Sequence, residues 1–236
     1  MAKGINNFSS GYGRITHGPQ PNALVDRTLD FVRDELPQWR DRKDRKAETD
    51  EEALNAQLCK HLNSRARQLP LPVLFHHEER QTQRRRVDIS AGLAEGGFIG
   101  QTYHSIDDPF LVFEGKRLPP PGGTAREREY VTGEEHLSGG IQRFKLGLHG
   151  ALVNTAAMIG YIQEEDSPQW LQRINGWIVS LQNRLPIEYG VWTKGDCLKE
   201  FTSDKKHGFA HCISQHPRTS TPIKLLHLWV EMNHKA

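Results

Sequence analysis

A short apolar segment that ends in charged residues constrains this chain more than any other. Phe110 to Phe113 are four consecutive apolar residues, a Glu-Gly-Lys-Arg run follows at once, and prolines stand at both ends. An apolar run between turn signals predicts a buried strand over 110–118. Residues two apart on a strand point to the same face, so Glu114 and Lys116 emerge together. Because burying unpaired charges is costly, this pair needs partners from elsewhere in the chain.

Helix and strand patterns on both sides of this strand predict a mixed α/β core. A helix is expected from Asn22 to Leu36, ending at Pro37, and a Gly-rich turn over 91–97 would let two strands pair antiparallel. The other predicted elements are a helix over 48–68, strands over 73–77 and 84–90, a helix over 141–149, a strand at the end of 151–162, a helix over 167–181, and a closing hairpin of 211–214 with 223–230.

Composition places the chain among globular proteins with a real core. It has 236 residues, of which 36% are hydrophobic, and residues 1–20 are polar and rich in Gly, Asn and Ser. We expect a mobile lead-in over 1–20 and a single domain over 21–236. No apolar run approaches the roughly 20 residues of a membrane helix, and no signal peptide is evident. A cytoplasmic protein without a membrane partner is therefore expected.

The helix over 48–68 carries an acid that points toward the core. Glu51 lies three residues before Leu54 and seven before Leu58, so it shares their buried stripe, whereas Glu52 is turned toward an edge. Plain helix-start electrostatics would explain both glutamates without any site. The strand over 84–90 carries a second carboxylate, Asp88, on its polar face.

At this point the sequence resembles the PD-(D/E)xK nuclease superfamily, which has the restriction-endonuclease-like fold. The family pattern is an acid on the first core helix, an aspartate on the second strand, (D/E)-x-K on the third strand, and often Q-x-x-x-Y on the next helix. The residue before the strand aspartate is Val87 rather than the frequent proline, and Leu146 stands where the tyrosine would be. The matching positions are Glu51 (or Glu52), Asp88, Glu114 with Lys116, and Gln142.

The resemblance implies a catalytic core over about 48–162, in a mixed central sheet flanked by helices. An N-terminal helical extension precedes this core, and a C-terminal helix plus β-hairpin follows it. It also implies a divalent-metal-dependent DNA endonuclease, with restriction or phage defence as the expected biological role. The implied catalytic residues are Asp88, Glu114, Lys116, Glu51 and Gln142.

The residue types agree with that chemistry. Asp88, Glu114, the Gly115 carbonyl and Glu51 offer hard oxygen ligands to Mg²⁺, with Mn²⁺ as a substitute. The metal would neutralise charge on the transition state and lower the pKa of a bound water. Lys116 can contact both the phosphate and the attacking water.

Basic residues near these positions predict a nucleic-acid surface. Arginine and lysine contacts to phosphates position a duplex without reading its sequence. DNA is the expected partner, RNA is not excluded, and a homodimer or a larger complex with an ATPase or sensor subunit stays open. The predicted phosphate contacts are Arg84, Arg85, Arg86, Arg117, Arg143 and Lys145.

Three other interpretations stay open at this stage. Glu114 and Lys116 can form a plain salt bridge at the end of a core strand. The same fold can serve as a catalytically inactive nucleic-acid-binding or assembly subunit. Finally, His and Cys residues near the C-terminus can bind zinc, although their spacing fits no common site. These residues are Cys197, His207, His211, Cys212 and His216.

Overall fold

A seven-stranded mixed sheet flanked by helices organises the protein. The structure is a computed structural model, and it describes residues 22–82, 85–123, 126–133, 137, 139–182 and 190–234, with the side chains of 81, 82 and 85 outside that description. The predicted lead-in over 1–20 lies outside the described residues.

The elements follow the chain in a mixed order that fits the α/β prediction. The helices are α1 (Ala23–Arg40), α2 (Glu51–Ala66), α3 (Gly140–Lys145) and α4 (Ser167–Ser180). The strands are β1 (Val73–Thr82), β2 (Arg85–Leu93), β3 (Gly97–Ile99), β4 (Thr102–His104), β5 (Leu111–Leu118), β6 (Thr155–Ile162), β7 (Lys199–Asp204), β8 (Phe209–His216) and β9 (Ile223–Glu231).

The main sheet has the strand order β1-β2-β5-β6-β9-β8-β7. Its centre is parallel, because β6 pairs parallel with both β5 and β9. The pairs on either side of that centre are antiparallel, including β2 with β5 as the sequence predicts. The strand that carries Glu114 and Lys116 therefore lies inside the sheet, between β2 and β6.

Helices cover both faces of this sheet and form two separate cores. The first core joins α1 and α2 to one face, and it contains Trp39. The second core joins α3 and α4 to the other face, and it contains the remaining tryptophans of the chain, Trp170, Trp177, Trp192 and Trp229. Strands buried on both faces are apolar almost without interruption, which explains the run at the start of β5.

The prediction that the first helix ends at Pro37 is wrong. Helix α1 continues to Arg40, and the amide of Asp41 donates to the Pro37 carbonyl (3.0 Å). Proline removes one hydrogen bond from the helix interior. Tertiary contacts hold the last turn in place, because Trp39 is buried and Arg40 donates to the carbonyls of His207 and Gly208.

Helix α2 is confirmed, and its start has a clear physical cause. Asp50 has an extended backbone, and its carboxylate accepts a hydrogen bond from the Ala53 amide (3.1 Å), which is the N-cap arrangement. Leu54, Leu58 and Leu62 are fully buried against the sheet. This packing fixes the position of the first turn, where Glu51 stands.

Two further predicted segments differ from the structure, and one strand was not predicted. The turn expected over 91–97 is shorter, because β2 continues to Leu93 and an additional hairpin, β3 with β4, precedes β5. The helix expected over 141–149 ends at Lys145. Strand β7 was not predicted, and it pairs with β8 at the edge of the sheet. Among the described helices, none is both long enough and apolar enough to cross a membrane.

Candidate active site

The pairing of β2 with β5 stops at the point where the predicted carboxylates begin. The last paired residues are Ile89 and Phe113. Beyond them, Asp88 Oδ2 accepts a hydrogen bond from the Gly115 amide (2.8 Å). The side chain of Asp88 thus accepts the β5 hydrogen bond that a neighbouring strand would otherwise accept. This bond fixes the Asp88 carboxyl group between the two strands.

Lys116 joins this strand end to the first turn of α2. Its Nζ lies 2.7 Å from Glu51 Oε1 and 3.3 Å from Glu114 Oε1. Glu51 Oε2 also accepts from the Arg117 amide (3.1 Å). Between the two candidates for the helix acid, the structure brings Glu51 to this position and leaves Glu52 exposed. The expected Glu114–Lys116 salt bridge is present, but it is part of a larger charge cluster.

Glu114 is the most enclosed member of that cluster. Its side chain is fully buried, and Oε1 accepts from Arg143 Nη1 (2.7 Å). His149 Nδ1 lies 3.0 Å from Oε2 but is not aligned for a hydrogen bond, so Oε2 accepts none from the described residues. An unsatisfied buried carboxylate oxygen is costly, and it suits a site that receives a further ligand.

The electrostatics of the two strand carboxylates differ sharply. Burial, together with the charges of Glu114 and Glu51, raises the pKa of Asp88 to about 8, although Lys116 opposes the shift. Burial would also raise the pKa of Glu114, but Lys116, His149 and Arg143 outweigh it and lower that pKa to about 2. Burial would lower the pKa of Lys116, but Glu114, Glu51 and Asp88 raise it above its usual value.

Gly115 allows α2 to approach β5 closely. A Cβ atom at this position would collide with the side chain of Asn55. Asn55 Oδ1 in turn accepts from the hydroxyl of Tyr161 (2.7 Å), and the ring of Tyr161 packs against Trp39 with centroids 5.8 Å apart. Glycine is therefore required between Glu114 and Lys116 by the packing of the first core.

The predicted helix glutamine is connected to the loop before α3. Gln142 is buried, and its Oε1 accepts from the Gly133 amide (3.1 Å). Its neighbour Arg143 is the α3 residue that the structure brings to Glu114. The catalytic role of Gln142 stays a prediction.

The predicted phosphate contacts fall into different environments. Arg86 is exposed and pairs with Glu78 (2.8 Å), and Arg117 Nη2 donates to Gln163 (3.0 Å). Arg143 is partly exposed beside Glu114. Arg84 lies outside the described residues, as does the side chain of Arg85.

Lys145 does not belong on that surface, which corrects the sequence prediction. It is buried, its Nζ lies 2.5 Å from Asp196 Oδ1, and its ammonium lies over the ring of Trp192 (5.3 Å). A phosphate contact would require this ion pair to break. Burial would raise the pKa of Asp196, but His216 and Lys145 lower it to about 2.

Asp196 is one end of a continuous buried hydrogen-bond chain. Consecutive polar atoms lie 2.5–2.8 Å apart along it. Burial lowers the pKa of His216, and burial together with His216 lowers that of His227 to about 3, so both rings are neutral. We call this the β8–β9 network; its members are Lys145, Asp196, His216, Ser214, His227, Tyr130 and Trp229.

The zinc interpretation receives no support from the placement of its residues. His216 is used in the β8–β9 network, His207 forms an exposed pair with Asp204 (2.6 Å), and Cys212 is fully buried. Within the described ranges, no three or more His, Cys, Asp or Glu side chains are grouped as a metal centre.

The strand carboxylates nevertheless have the chemistry that a hard divalent cation requires. The raised pKa of Asp88 reflects burial first and the negative charges of Glu114 and Glu51 second, and Glu114 Oε2 is buried without a hydrogen-bond partner among the described residues. Carboxylate oxygens are preferred ligands of Mg²⁺ and Mn²⁺. The residues present therefore fit such an ion.

The sequence interpretation missed three residues of the site. His149 contacts Glu114, Asn55 lies against Gly115, and Tyr161 donates a hydrogen bond to Asn55. His149 stands at the end of a predicted helix and Tyr161 in a predicted strand, but no spacing signal joins either to Glu114. The chain matches no protein-family model, no curated protein and no solved structure.

Proposed function

We propose that this protein is a divalent-metal-dependent phosphodiesterase that cuts DNA, on a restriction-endonuclease-like core of the PD-(D/E)xK type. One observation carries the proposal. The Lys116 ammonium lies within 3.3 Å of both Glu51 and Glu114, while Asp88 accepts from the amide between Glu114 and Lys116. Segments distant in sequence thus supply three carboxylates and one lysine to one strand end.

Asp88 and Glu114 would hold the Mg²⁺ or Mn²⁺ ion, with Glu51 and the Gly115 carbonyl as further oxygen ligands. When bound, such an ion supplies charge neutralisation at the phosphate and a water of lowered pKa. Asp88 and Glu51 are only partly buried, whereas Glu114 is fully buried, so an ion would enter the site from their side.

Lys116 holds a compact positive charge at the centre of the site. Its ammonium, now shared between Glu51 and Glu114, is suited to orient the attacking water and to stabilise negative charge on the phosphate oxygens. Arg86, Arg117 and Arg143 carry the cations that would position the phosphate backbone. RNA is a possible substrate through the same contacts.

A second candidate is an inactive nucleic-acid-binding or assembly subunit on the same fold. It is favoured by the ion pairs of Lys116 with Glu51 and of Arg143 with Glu114, which neutralise the carboxylates without a metal. A role in restriction or phage defence, as a homodimer or beside an ATPase or sensor subunit, belongs to the first candidate through family resemblance.

Cleavage of supercoiled and linear DNA, and of RNA, with Mg²⁺, Mn²⁺ or EDTA tests the proposal. We expect metal-dependent cleavage of DNA that falls at least about a hundredfold in Lys116→Ala, since the charge at the phosphate is lost. Lys60→Ala, which changes an exposed lysine of α2, is the matched control and should cleave normally.

Two results would contradict the proposal. Cleavage that persists in EDTA or in folded Lys116→Ala would reject the mechanism. Binding of DNA without cleavage in either metal would favour the inactive subunit. Circular dichroism and a melting curve for each variant separate a lost site from a lost fold.

A further inference from the structure

Glu114 has three cationic or titratable neighbours, and they differ in access to solvent. The side chains of Lys116 and His149 are 5% and 3% exposed, whereas that of Arg143 is 29% exposed. Arg143 is therefore the neighbour that can leave Glu114 and meet a ligand in solution without opening the core.

The Arg143 contact occupies one of the two oxygens that Glu114 can offer to a metal ion. Arg143 Nη1 lies 2.7 Å from Glu114 Oε1, the same oxygen that Lys116 approaches. A charge-assisted hydrogen bond of this length to a buried carboxylate is strong. A cation that binds Glu114 through Oε1 must displace this contact, and one that binds through Oε2 still lies close to a guanidinium of like charge.

We propose that Arg143 couples metal binding to phosphate binding: it pairs with Glu114 in the metal-free protein and moves to a backbone phosphate of the nucleic acid when the divalent ion binds. This inference rests on the proposed function. The guanidinium matches a phosphate as well as a carboxylate, since both offer paired oxygens to its planar set of donors.

Linkage makes this coupling reciprocal. A phosphate that holds Arg143 away from Glu114 leaves the carboxylate free, so it must tighten metal binding by the factor by which metal tightens phosphate binding. Coupling energies between two sites correspond to changes of about 5-fold to 150-fold in affinity. Replacing Arg143 by a residue that cannot pair with Glu114 should remove the coupling. The metal should then bind more tightly than it binds to the wild type.

Calorimetric titration with Mn²⁺ measures this directly, without any turnover. We expect Arg143→Gln to bind Mn²⁺ about tenfold more tightly than the wild type. In the wild type, a non-cleavable phosphorothioate duplex should tighten Mn²⁺ about tenfold, and in Arg143→Gln it should change little. The matched control is Arg173→Gln on α4, which removes a comparable 2.7 Å ion pair with Glu165. This variant should bind Mn²⁺ as the wild type does.

Further variants keep the outcomes separate. Arg143→Lys retains the charge and serves if Arg143→Gln does not fold; it should retain part of the coupling. Mn²⁺ binding that depends on Asp88, tested with Asp88→Asn, but is unchanged by Arg143→Gln and by the duplex would overturn this inference and leave the proposed function standing. Absence of any Asp88-dependent Mn²⁺ binding would overturn both.

Discussion

Two buried polar clusters lie on this sheet, and they are built in opposite ways. In the β8–β9 network, Lys145 and Asp196 balance each other, and each neutral group donates one hydrogen bond to the next, from Trp229 through to Asp196. At the strand end of β5, three carboxyl groups contact Lys116 or the Gly115 amide, the pKa of Asp88 is raised to about 8, and a Glu114 oxygen accepts no hydrogen bond from described residues.

The difference teaches how to separate a structural cluster from a functional one when both are charged and buried. A network whose donors and acceptors are all matched gains specificity for the fold and leaves nothing for a ligand to contact. A cluster that buries a carboxyl group of raised pKa and leaves a carboxylate oxygen without a donor costs stability, and such strain is retained where a ligand relieves it. Both kinds of cluster give perturbed pKa values, so a pKa shift alone does not tell them apart. What distinguishes them is whether every buried donor and acceptor has a partner.

The largest expected effect comes from breaking the balanced cluster. Asp196→Ala leaves the Lys145 ammonium buried without its partner, which should lower the free energy of unfolding by about 3 to 5 kcal/mol. Urea unfolding measures this loss. Asp204→Ala, in an exposed pair with His207, is the control and should leave the stability nearly unchanged. A loss below about 1 kcal/mol in Asp196→Ala would show that the network is not held by this pair.

The buried Asp88 carboxyl at β5 should have opposite effects on activity and on stability. Asp88→Asn is expected to lower cleavage at least about a hundredfold and yet raise the melting temperature. A carboxyl whose pKa rises from 3.8 to about 8 on folding favours the folded state at low pH and loses that contribution as pH rises through 8. At neutral pH a neutral amide therefore removes a cost of about 1 kcal/mol or more.

Asparagine can also accept the hydrogen bond from the Gly115 amide. The variant therefore removes the ionisable group and keeps the local geometry. Asp107→Asn, in an exposed loop, is the matched control for the melting curves. A lower melting temperature in Asp88→Asn would mean that the carboxylate stabilises the fold, and the contrast between the two clusters would fail.

The smallest effect is a difference in pH dependence. His227 has a pKa lowered to about 3, so its contribution to stability is present above the unfolded value of 6.5 and is lost as pH falls below it. The loss is about 1.4 kcal/mol per pH unit. Asp88 acts in the opposite direction between pH 8 and 3.8, so in the wild type it should offset part of this loss.

Asp88→Asn should expose the histidine effect. Its free energy of unfolding is expected to stay level from pH 8 to 6.5 and to fall between pH 6.5 and 5, measured by urea titration. His227→Gln in the same background should make that fall shallower, although burial also lowers the pKa of His61 and His211. Equal slopes with and without His227 would place the sensitivity elsewhere.

Strong local patterns predicted much of the fold. Helix α2 and strand β5 combine caps or turn signals with clear apolar patterns, and α4 has the Asp166 capping box. Strand β7 shows no such pattern, because it is an exposed edge with polar residues on both faces. The end of α1 was wrong for another reason: burial of Trp39 outweighs the local effect of Pro37.

The sequence predicted which residues form the candidate site, but not which ion pairs they make. Glu51, Asp88, Glu114 and Lys116 were identified from strand and helix faces, and the structure brings them together. Arg143 and Lys145 looked alike in the sequence. Their opposite environments depend on which groups α3 meets across the fold, Glu114 on one side and Asp196 on the other, and a single helix turn contains no signal for that.

The uneven distribution of tryptophan gives the protein a natural optical label. Four of the five indoles lie in the core of α3 and α4, whereas Trp39 stands alone in the core of α1 and α2. Intrinsic fluorescence during unfolding therefore reports mainly on the layer that contains the β8–β9 network. With the other four replaced by phenylalanine, the emission of Trp39 would follow Tyr161, which it contacts, and through Asn55 the backbone at Gly115.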